Sequence, residues 1–83
     1  MAIDFEKLVK DIVKPLVVYP DDVLVKVLSD EEDDSVVVQL LVHPEDLGRV
    51  IGRGGRTASA IRTILYAGAT LENVRVKLDI DSY

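Results

Sequence analysis

Four consecutive residues combine three glycines with an arginine: Gly52, Arg53, Gly54 and Gly55. Glycine adopts backbone conformations with positive φ, and its missing Cβ lets another chain approach the backbone closely. A glycine turn that opens a helix also presents free N–H groups at the positive end of the helix dipole, where an anion is stabilised. The pattern predicts a surface on which a phosphate backbone lies against the protein backbone.

Positive charge is concentrated around these glycines, although the whole chain of 83 residues carries a net charge of −5. The segment from Leu47 to Leu71 contains four arginines and no acidic residue, so its net charge is +4. The remaining residues carry −9 and include five consecutive acids, from Asp30 to Asp34. Because the distribution of charge matters more than its sum, the acidic total does not exclude an anionic ligand for this segment.

Other kinds of site find little support in the sequence. The chain has no cysteine, which excludes disulfides, thiolate catalysis and cysteine zinc sites. The one histidine, His43, precedes Pro44 and is expected to cap a helix, and no partner for a catalytic role is evident. The glycines lack the third glycine of a dinucleotide fingerprint and the lysine of a P-loop. We therefore expect no catalytic residue, no metal and no cofactor, and we interpret the acidic run as a solvated loop without the calcium-loop spacing.

The periodicity of the apolar residues predicts three helices and three strands. The first helix covers residues 4–16, with Asp4 as its N-cap and Pro15 introducing a kink or a loose final turn. A short second helix starts at Pro44 and ends at Gly52, a left-handed C-cap. The third begins near Arg56, ends at Tyr66 or Ala67 and is capped by Gly68. Its predicted apolar face consists of Ala58, Ile61 and Leu65 with Ala60, Ile64 and Ala67.

Strands are predicted at Val23–Leu28, Ser35–Val42 and Val74–Ile80, where apolar residues alternate with others. The first two form a hairpin, and Val23, Val25 and Val27 are expected to face the core. The element order α-β-β-α-α-β predicts one α+β domain over residues 1–83, a three-stranded sheet covered on one face by three helices. Four aliphatic residues fall on the opposite face of the sheet: Leu24, Leu28, Val37 and Leu41.

Two helices joined by a Gly-x-x-Gly turn within this element order resemble the KH domain, in its type II (bacterial) arrangement. The residues Lys14-Pro15-Leu16-Val17 and the segment from Gly48 to Ala58 resemble the small stand-alone KH proteins of the KhpA family. The resemblance covers essentially the whole chain. It implies a single-stranded RNA-binding protein whose GxxG loop clamps about four nucleotides, with a role as RNA chaperone or post-transcriptional regulator. It also implies a second KH-containing partner of the Jag type.

The candidate RNA-binding residues lie in the loop and on the two helices that flank it. The loop glycines let the sugar–phosphate chain touch the backbone, the arginines supply charge, and aliphatic residues wall a groove for unstacked bases. With few aromatic residues, recognition is expected to rely on aliphatic contacts, hydrogen bonds and phosphates. The candidates are Arg49, Val50, Ile51, Gly52, Arg53, Gly54, Gly55, Arg56, Thr57, Ala58, Ile61 and Arg62.

A second interpretation is a protein-interaction module on a KH scaffold that acts mainly through a partner KH protein. The acidic surface and the few aromatic residues favour it, whereas the intact loop with its arginines favours RNA binding. We expect a homodimer or a heterodimer, formed either by the aliphatic sheet face or by the helices beside the loop. The N-terminal residues lack a signal-peptide pattern, and no apolar run approaches the ~20 residues of a membrane span, so a cytoplasmic protein is expected.

Overall fold

The computed structural model describes residues 3–30, 32 and 35–83. Within them the chain forms helix α1 (Phe5–Val13), strands β1 (Leu24–Asp30) and β2 (Ser35–Val42), helices α2 (Leu47–Ile51) and α3 (Arg56–Leu71), and strand β3 (Arg75–Ser82). The predicted α-β-β-α-α-β order and α+β class are confirmed.

The described strands form one sheet in the order β1-β2-β3. The β1–β2 pair is an antiparallel hairpin in which Leu24 lies opposite Leu41 and Asp30 opposite Ser35. Strand β3 runs parallel to β2, as expected when helices provide the crossover between two strands. The sheet therefore has β2 at its centre and two edge strands.

The core lies between the helices and one face of this sheet. The inward residues of β2, Val38, Leu40 and Val42, are fully buried, and α1 places Val9 and Val13 against the same core. These positions follow from the period of two in the strand and the i, i+4 spacing in the helix. In β3 the residues predicted to face inward are Val74, Val76, Leu78 and Ile80. Val76 and Leu78 are buried and Ile80 is half-buried, whereas Val74 precedes the strand and is 37% exposed.

Helix α1 begins as predicted, since the Asp4 carboxylate accepts a hydrogen bond of 3.1 Å from the Lys7 N–H. It ends at Val13, and Lys14–Leu16 form a 3₁₀ turn. Pro15 lacks an N–H, which explains the loose final turn. The apolar spacing of the first helix predicts that Leu16 faces inward. This prediction is wrong, because Leu16 lies in the 3₁₀ turn and its side chain is exposed.

Strand β1 lies one or two residues further along the chain than predicted. Val23 and Val25 are buried as expected, but Val27 is exposed although its register partner is the buried Val38. Val27 belongs to an edge strand, where cover from the helices is incomplete. Of the acidic run, Asp30 ends β1 and Glu32 lies in a turn, while Glu31, Asp33 and Asp34 are outside the described residues.

Helix α3 extends further than predicted. Gly68 does not cap it, because the helix continues to Leu71 and Asn73 then adopts a positive φ of 56°. A Cβ on Gly68 would lie 3.3 Å from Ile3 Cδ1 and 3.6 Å from Phe5 Cε1, so this glycine is a packing residue inside the helix.

The predicted apolar face of α3 is correct in part. Ala58, Ile61 and Leu65 are buried, whereas Ala60, Ile64 and Ala67 are exposed. Only one side of α3 packs against the sheet, so the second row of apolar residues faces outward. None of the helices among the described residues is long and apolar enough to cross a membrane.

Candidate functional site

The glycine loop joins α2 to α3 through three backbones with positive φ. Gly52 ends α2 with φ 77° and ψ 171°, so its φ is that of the predicted C-cap while its ψ lies outside the left-handed helical region. Gly54 (φ 63°) and Gly55 (φ 78°) are left-handed, and the Gly55 N–H donates to the Gly52 carbonyl at 3.1 Å. Only glycine adopts such conformations in sequence at little cost, so the loop depends on these residues.

The space around the three glycines divides them into two kinds. A Cβ on Gly52 would lie 2.8 Å from both Cβ and the backbone nitrogen of Thr57, so this position is closed by the protein itself. A Cβ on Gly54 or Gly55 would meet nothing within 4 Å. Gly52 therefore holds the turn against α3, while Gly54 and Gly55 present bare backbone to the outside.

Two of the four arginines of this segment stand at the loop with exposed side chains. Arg53 is the second residue of the GxxG sequence, and Arg56 is the first residue of α3. Neither side chain makes a hydrogen bond or an ion pair with the described residues. They are charged groups beside open backbone, which is an arrangement suited to phosphate.

Arg49 is engaged by the protein. Its Nη1 donates to the Glu45 carbonyl at 2.8 Å and to the Asp46 carboxylate at 3.1 Å. Asp46 is fully buried and also accepts from the backbone N–H groups of Val18 at 3.0 Å and Tyr19 at 2.9 Å. Arg49 is thus part of a structural network at the start of α2, and any ligand would share its guanidinium.

The environment of Asp46 sets its protonation state. Burial raises the pKa of this carboxyl, but the two backbone hydrogen bonds and the Arg49 guanidinium outweigh that effect and leave the pKa below its ordinary value of 3.8. Asp46 is therefore an ionised carboxylate near neutral pH, and it fastens the segment before β1 to the start of α2.

Next to this network, Tyr19 stacks on His43 with ring centroids 4.0 Å apart and an interplanar angle of 18°. The Glu45 N–H donates to His43 Nδ1 at 3.0 Å, which confirms the predicted capping role of this histidine. The Tyr19 hydroxyl donates to the Glu45 carboxylate at 3.2 Å, and this hydrogen bond raises the pKa of the tyrosine. These groups hold one another in place beside α2.

Arg62 lies seven residues after Gly55, on the same side of α3 and about 10 Å further along its axis. Its Nη2 is 3.5 Å from the Leu78 carbonyl of β3, a long contact. The side chain borders an open cleft of about 400 Å³. The cleft is also lined by Gln39, Leu40, Leu41, Asp79, Ile80 and Asp81.

The aliphatic candidates do not share one surface. Val50, Ala58 and Ile61 are buried in the core, so they support the loop from beneath, and Thr57 is half-buried against Gly52. Ile51 is 36% exposed and is the aliphatic candidate that faces the outside. The exposed part of the candidate site is therefore the loop backbone with Ile51, Arg53, Arg56, part of Arg62 and the half-exposed side chain of Arg49.

Sequence reasoning did not identify Asp46 as the centre of a buried network, nor the cleft beside Arg62. Asp46 follows Pro44 and Glu45 and resembles any acid in the first turn of a helix; its burial depends on a segment 27 residues earlier. The cleft is lined by residues of α3 and of two strands, which no local sequence pattern relates to one another. Among the described residues, no cluster of His, Asp and Glu could hold a metal ion.

Comparison with known proteins gives one consistent family. The model of the KhpA/KhpB KH-domain family matches residues 6–80. The chain is 48% identical over 73 residues to the RNA-binding protein KhpA of Oceanobacillus iheyensis, which covers 88% of this chain and 95% of the relative. It is 49% identical over 78 residues to KhpA of Lactiplantibacillus plantarum (94% and 89% covered) and 43% identical over 75 residues to KhpA of Bacillus subtilis (90% of each).

The fold also matches a solved structure, the crystal structure of Era in complex with MgGDPNP and nucleotides 1506–1542 of 16S ribosomal RNA. The TM-score is 0.63 and the sequence identity 15%, over 94% of this chain and 29% of the Era chain. At this identity the likeness concerns the fold alone.

Proposed function

Because the chain belongs to the KhpA/KhpB KH-domain family, which is not a family of enzymes, we propose that it binds single-stranded RNA through the loop from Gly52 to Gly55. The observation that carries the proposal is the open backbone at Gly54 and Gly55, flanked by the exposed Arg53 and Arg56. The relatives bearing the name RNA-binding protein KhpA support the same class of ligand.

The grip acts on the sugar–phosphate chain. With no Cβ at Gly54 and Gly55, a phosphate can approach the loop backbone at the start of α3, where the helix dipole favours an anion. Arg53 and Arg56 add charge on the two sides of this contact. Ile51 gives an aliphatic surface for one unstacked base, and a KH loop of this length holds about four nucleotides.

The test is the double variant Arg53→Asp with Gly54→Asp, measured by fluorescence anisotropy with a labelled single-stranded RNA. Two carboxylates facing phosphates should reduce the affinity at least tenfold, while circular dichroism shows the helices intact. Lys14→Asp makes the charge change of Arg53→Asp at an exposed residue outside the loop, and it should leave the affinity nearly unchanged. Equal affinity of the folded double variant and the parent protein would overturn the proposal.

We also propose that the protein works in a pair with a second KH domain, either another copy or a Jag-type KH protein. The outer side of α3 supports this: from Thr63 to Leu71 the helix carries no charge, and Ile64 and Leu71, seven residues apart and so on the same side, are exposed. Exposed apolar residues grouped on one helix are typical of an interaction surface. A pair of linked sites raises RNA affinity by about 10²–10⁴ without new contacts at either site.

The pairing surface can be distinguished from the aliphatic sheet face by two matched variants. Ile64 on α3 is 47% exposed and Leu28 on the open sheet face is 48% exposed, so an aspartate should be equally tolerated at either residue. In sedimentation equilibrium, Ile64→Asp should be monomeric where the parent protein is dimeric, and Leu28→Asp should remain dimeric. A parent protein that is monomeric at tens of micromolar, and from which no KH partner is recovered, would contradict pairing.

We propose that this mode of binding gives the protein a role as RNA chaperone or post-transcriptional regulator in the cytoplasm. Because the loop contacts the backbone of about four nucleotides, binding depends little on the RNA sequence, and the bound bases stay unpaired. The expected result is faster annealing of two complementary hairpin RNAs, with the Arg53→Asp, Gly54→Asp variant inactive. In the alternative, the protein acts mainly through a partner KH protein. The variant would then still bind that partner and keep its effect in cells.

A further inference from the structure

Strand β3 is an edge strand of the described sheet, with β2 on one side and no described strand on the other. It runs for eight residues, Arg75–Ser82, and contains no proline. Its register with β2 is continuous, so no bulge interrupts it. A long, regular edge of this kind presents a row of N–H and C=O groups that can pair with another strand.

The hydrogen bonds of the sheet show which backbone groups of β3 point outward. The Tyr83 N–H donates to the Val42 carbonyl at 3.3 Å, and the register partner of Val42 is Ser82. In a parallel ladder the groups of alternate residues face the same neighbour, so odd-numbered residues of β3 face β2 and even-numbered residues face outward. The Leu78 carbonyl is thus an outward group, which agrees with the approach of Arg62 Nη2 to within 3.5 Å of it.

The charged side chains of β3 lie in a fixed order on the open face of the sheet. They alternate with the residues that face the helices, of which Val76 and Leu78 are buried. The two charged residues near the start of the strand are basic and the two near its end are acidic, and all four are exposed: Arg75, Lys77, Asp79 and Asp81. In an antiparallel copy of the same strand, the acidic end therefore meets the basic end.

We propose that a second copy of this chain pairs with the outer edge of β3, antiparallel and with the two-fold axis at Leu78. The symmetry then sets Lys77 opposite Asp79 of the other copy, and Arg75 opposite Asp81. Opposite charges on directly facing residues stabilise an antiparallel pair, whereas like charges destabilise it. A register shifted by two residues sets Lys77 against Lys77 or Asp79 against Asp79, while the register centred on Leu78 matches all four charges.

The backbone of β3 is compatible with the same register. Even-numbered residues of the two copies face one another, and their N–H and C=O groups already point outward. The pairs of Val76 with Ile80 and of Leu78 with Leu78 are then hydrogen-bonded pairs, each of which exchanges two hydrogen bonds. The charged residues occupy the positions between them, where facing side chains lie closest. One register thus satisfies both the order of the charges and the direction of the backbone groups.

This contact goes beyond the pairing proposed above, because it uses another side of the molecule. Arg62, which approaches the edge of β3, and Ile64, on the outer side of α3, are two residues apart and so about 200° apart around the helix. An edge of eight residues is also narrow compared with the ~800 Å² that each partner buries in a stable complex, so we expect it to form at about millimolar concentration.

The test uses the Ile64→Asp chain, in which the outer side of α3 does not contribute. Nuclear magnetic resonance spectra recorded between about 20 μM and 1 mM should show concentration-dependent shifts of the Val76, Leu78 and Ile80 amides. The amides of β1, the other edge strand, should not shift. In a mixture of ¹³C-labelled and unlabelled chains, a nuclear Overhauser contact between the Hα atoms of residues 77 and 79 of different copies would identify the register.

A charge swap in the same chain tests the pairing of side chains. Asp79→Lys sets two lysines opposite each other on both sides of the axis, so self-association should weaken about tenfold. Adding Lys77→Asp to this variant makes the facing charges opposite again, and it should restore both the association and the Hα contact. Lys26→Asp makes the same change as Lys77→Asp at an exposed residue of β1, and it should leave the association unchanged.

Circular dichroism should show that each variant is folded. The proposal is overturned if the spectra do not depend on concentration up to about 1 mM, or if the amides of β1 shift instead of those of β3. A folded double variant that associates no better than Asp79→Lys alone would also overturn it. RNA binding and the pairing through α3 do not enter this experiment, so its outcome is separate from theirs.

Discussion

At the scale of single residues, Asp46 connects parts of the chain that are distant in sequence. Its carboxylate receives two backbone N–H groups from the segment before β1 and the guanidinium of Arg49. A buried charge is tolerated only where it is compensated in this way. The start of α2, and with it the loop, is thereby positioned by a residue that does not contact the proposed ligand.

The network predicts a specific dependence of stability on pH. Since the pKa of Asp46 is lower in the folded protein than its ordinary value of 3.8, its contribution is present above that pH and is lost as the pH falls through the folded-state pKa. Asp46→Asn should lower the thermal midpoint at pH 7, because an amide N–H₂ then faces a backbone N–H. The difference from the parent protein should narrow below pH 3.8, where the protonated acid resembles the amide. Asp79→Asn is the control, because the Asp79 side chain is exposed, and it should leave the thermal midpoint unchanged both at pH 7 and below pH 3.8.

Two of the three loop glycines, Gly52 and Gly54, should respond differently to alanine. Gly52→Ala combines a positive φ with contact against Thr57, so we expect a loss of about 2–3 kcal/mol in the free energy of unfolding. Gly54→Ala meets nothing within 4 Å and should cost only the conformational term of about 1–2 kcal/mol. Urea unfolding of both variants provides the measurement. Equal losses would show that the contact with Thr57 does not constrain the loop.

At the scale of elements, α3 shows where sequence patterns suffice and where they fail. The spacing of Ala58, Ile61 and Leu65 identifies the buried side, and the glycine loop identifies the start of the helix. Its end was mispredicted because glycine commonly terminates helices, and only the packing of Ile3 and Phe5 against Gly68 explains its place inside this one. The outward position of Ile64 likewise depends on which side meets the sheet.

Gly68 predicts a graded effect of side-chain size. Gly68→Ala gains helix propensity of about 1 kcal/mol, and its Cβ requires only that the tip of Ile3 move, so we expect a change in stability within about 1 kcal/mol of zero. Gly68→Leu cannot fit against Ile3 and Phe5 and should destabilise by about 2 kcal/mol or more. Thermal unfolding of the two variants, with Ala67→Leu at the exposed neighbouring residue as control, measures this. If Gly68→Leu left the thermal stability unchanged, Ile3 and Phe5 would not pack on α3 as described.

At the scale of the whole molecule, the separation of charge limits the number of phosphate contacts. The segment from Leu47 to Leu71 carries +4 within a chain of −5, and one of its four arginines is engaged by Asp46. The other three arginines would then neutralise two or three phosphates. The slope of log K against log salt concentration should be about −1.4 to −2.1, at −0.7 for each phosphate on a single strand. A slope near −6 would require a basic surface much larger than the loop region provides.

The fold and the loop could be predicted from local signals, since strand alternation, helix periodicity and glycine spacing act over a few residues. The contacts between residues distant in sequence could not be predicted in this way. The packed helices and sheet bring Asp46 to Val18 and Tyr19, and Arg62 to the Leu78 carbonyl. Val50, Ala58 and Ile61 are buried, so they support the loop and do not belong to its contact surface. Residue type alone does not distinguish these two roles.

The register of the sheet has a consequence for how the chain folds. Strand β1 pairs with its sequence neighbour through a short connection, but β3 pairs with β2 at a constant separation of 40 residues, from Ser35 with Arg75 to Val42 with Ser82. Closing that long loop costs entropy before any ladder hydrogen bond is made, so we expect the parallel pairing to be the slow event. During synthesis the hairpin leaves the ribosome first, and its central strand keeps one unsatisfied edge until residues 75–82 emerge. The glycine loop lies within the 40-residue span, so its flanking helices reach their final positions only when the last strand docks.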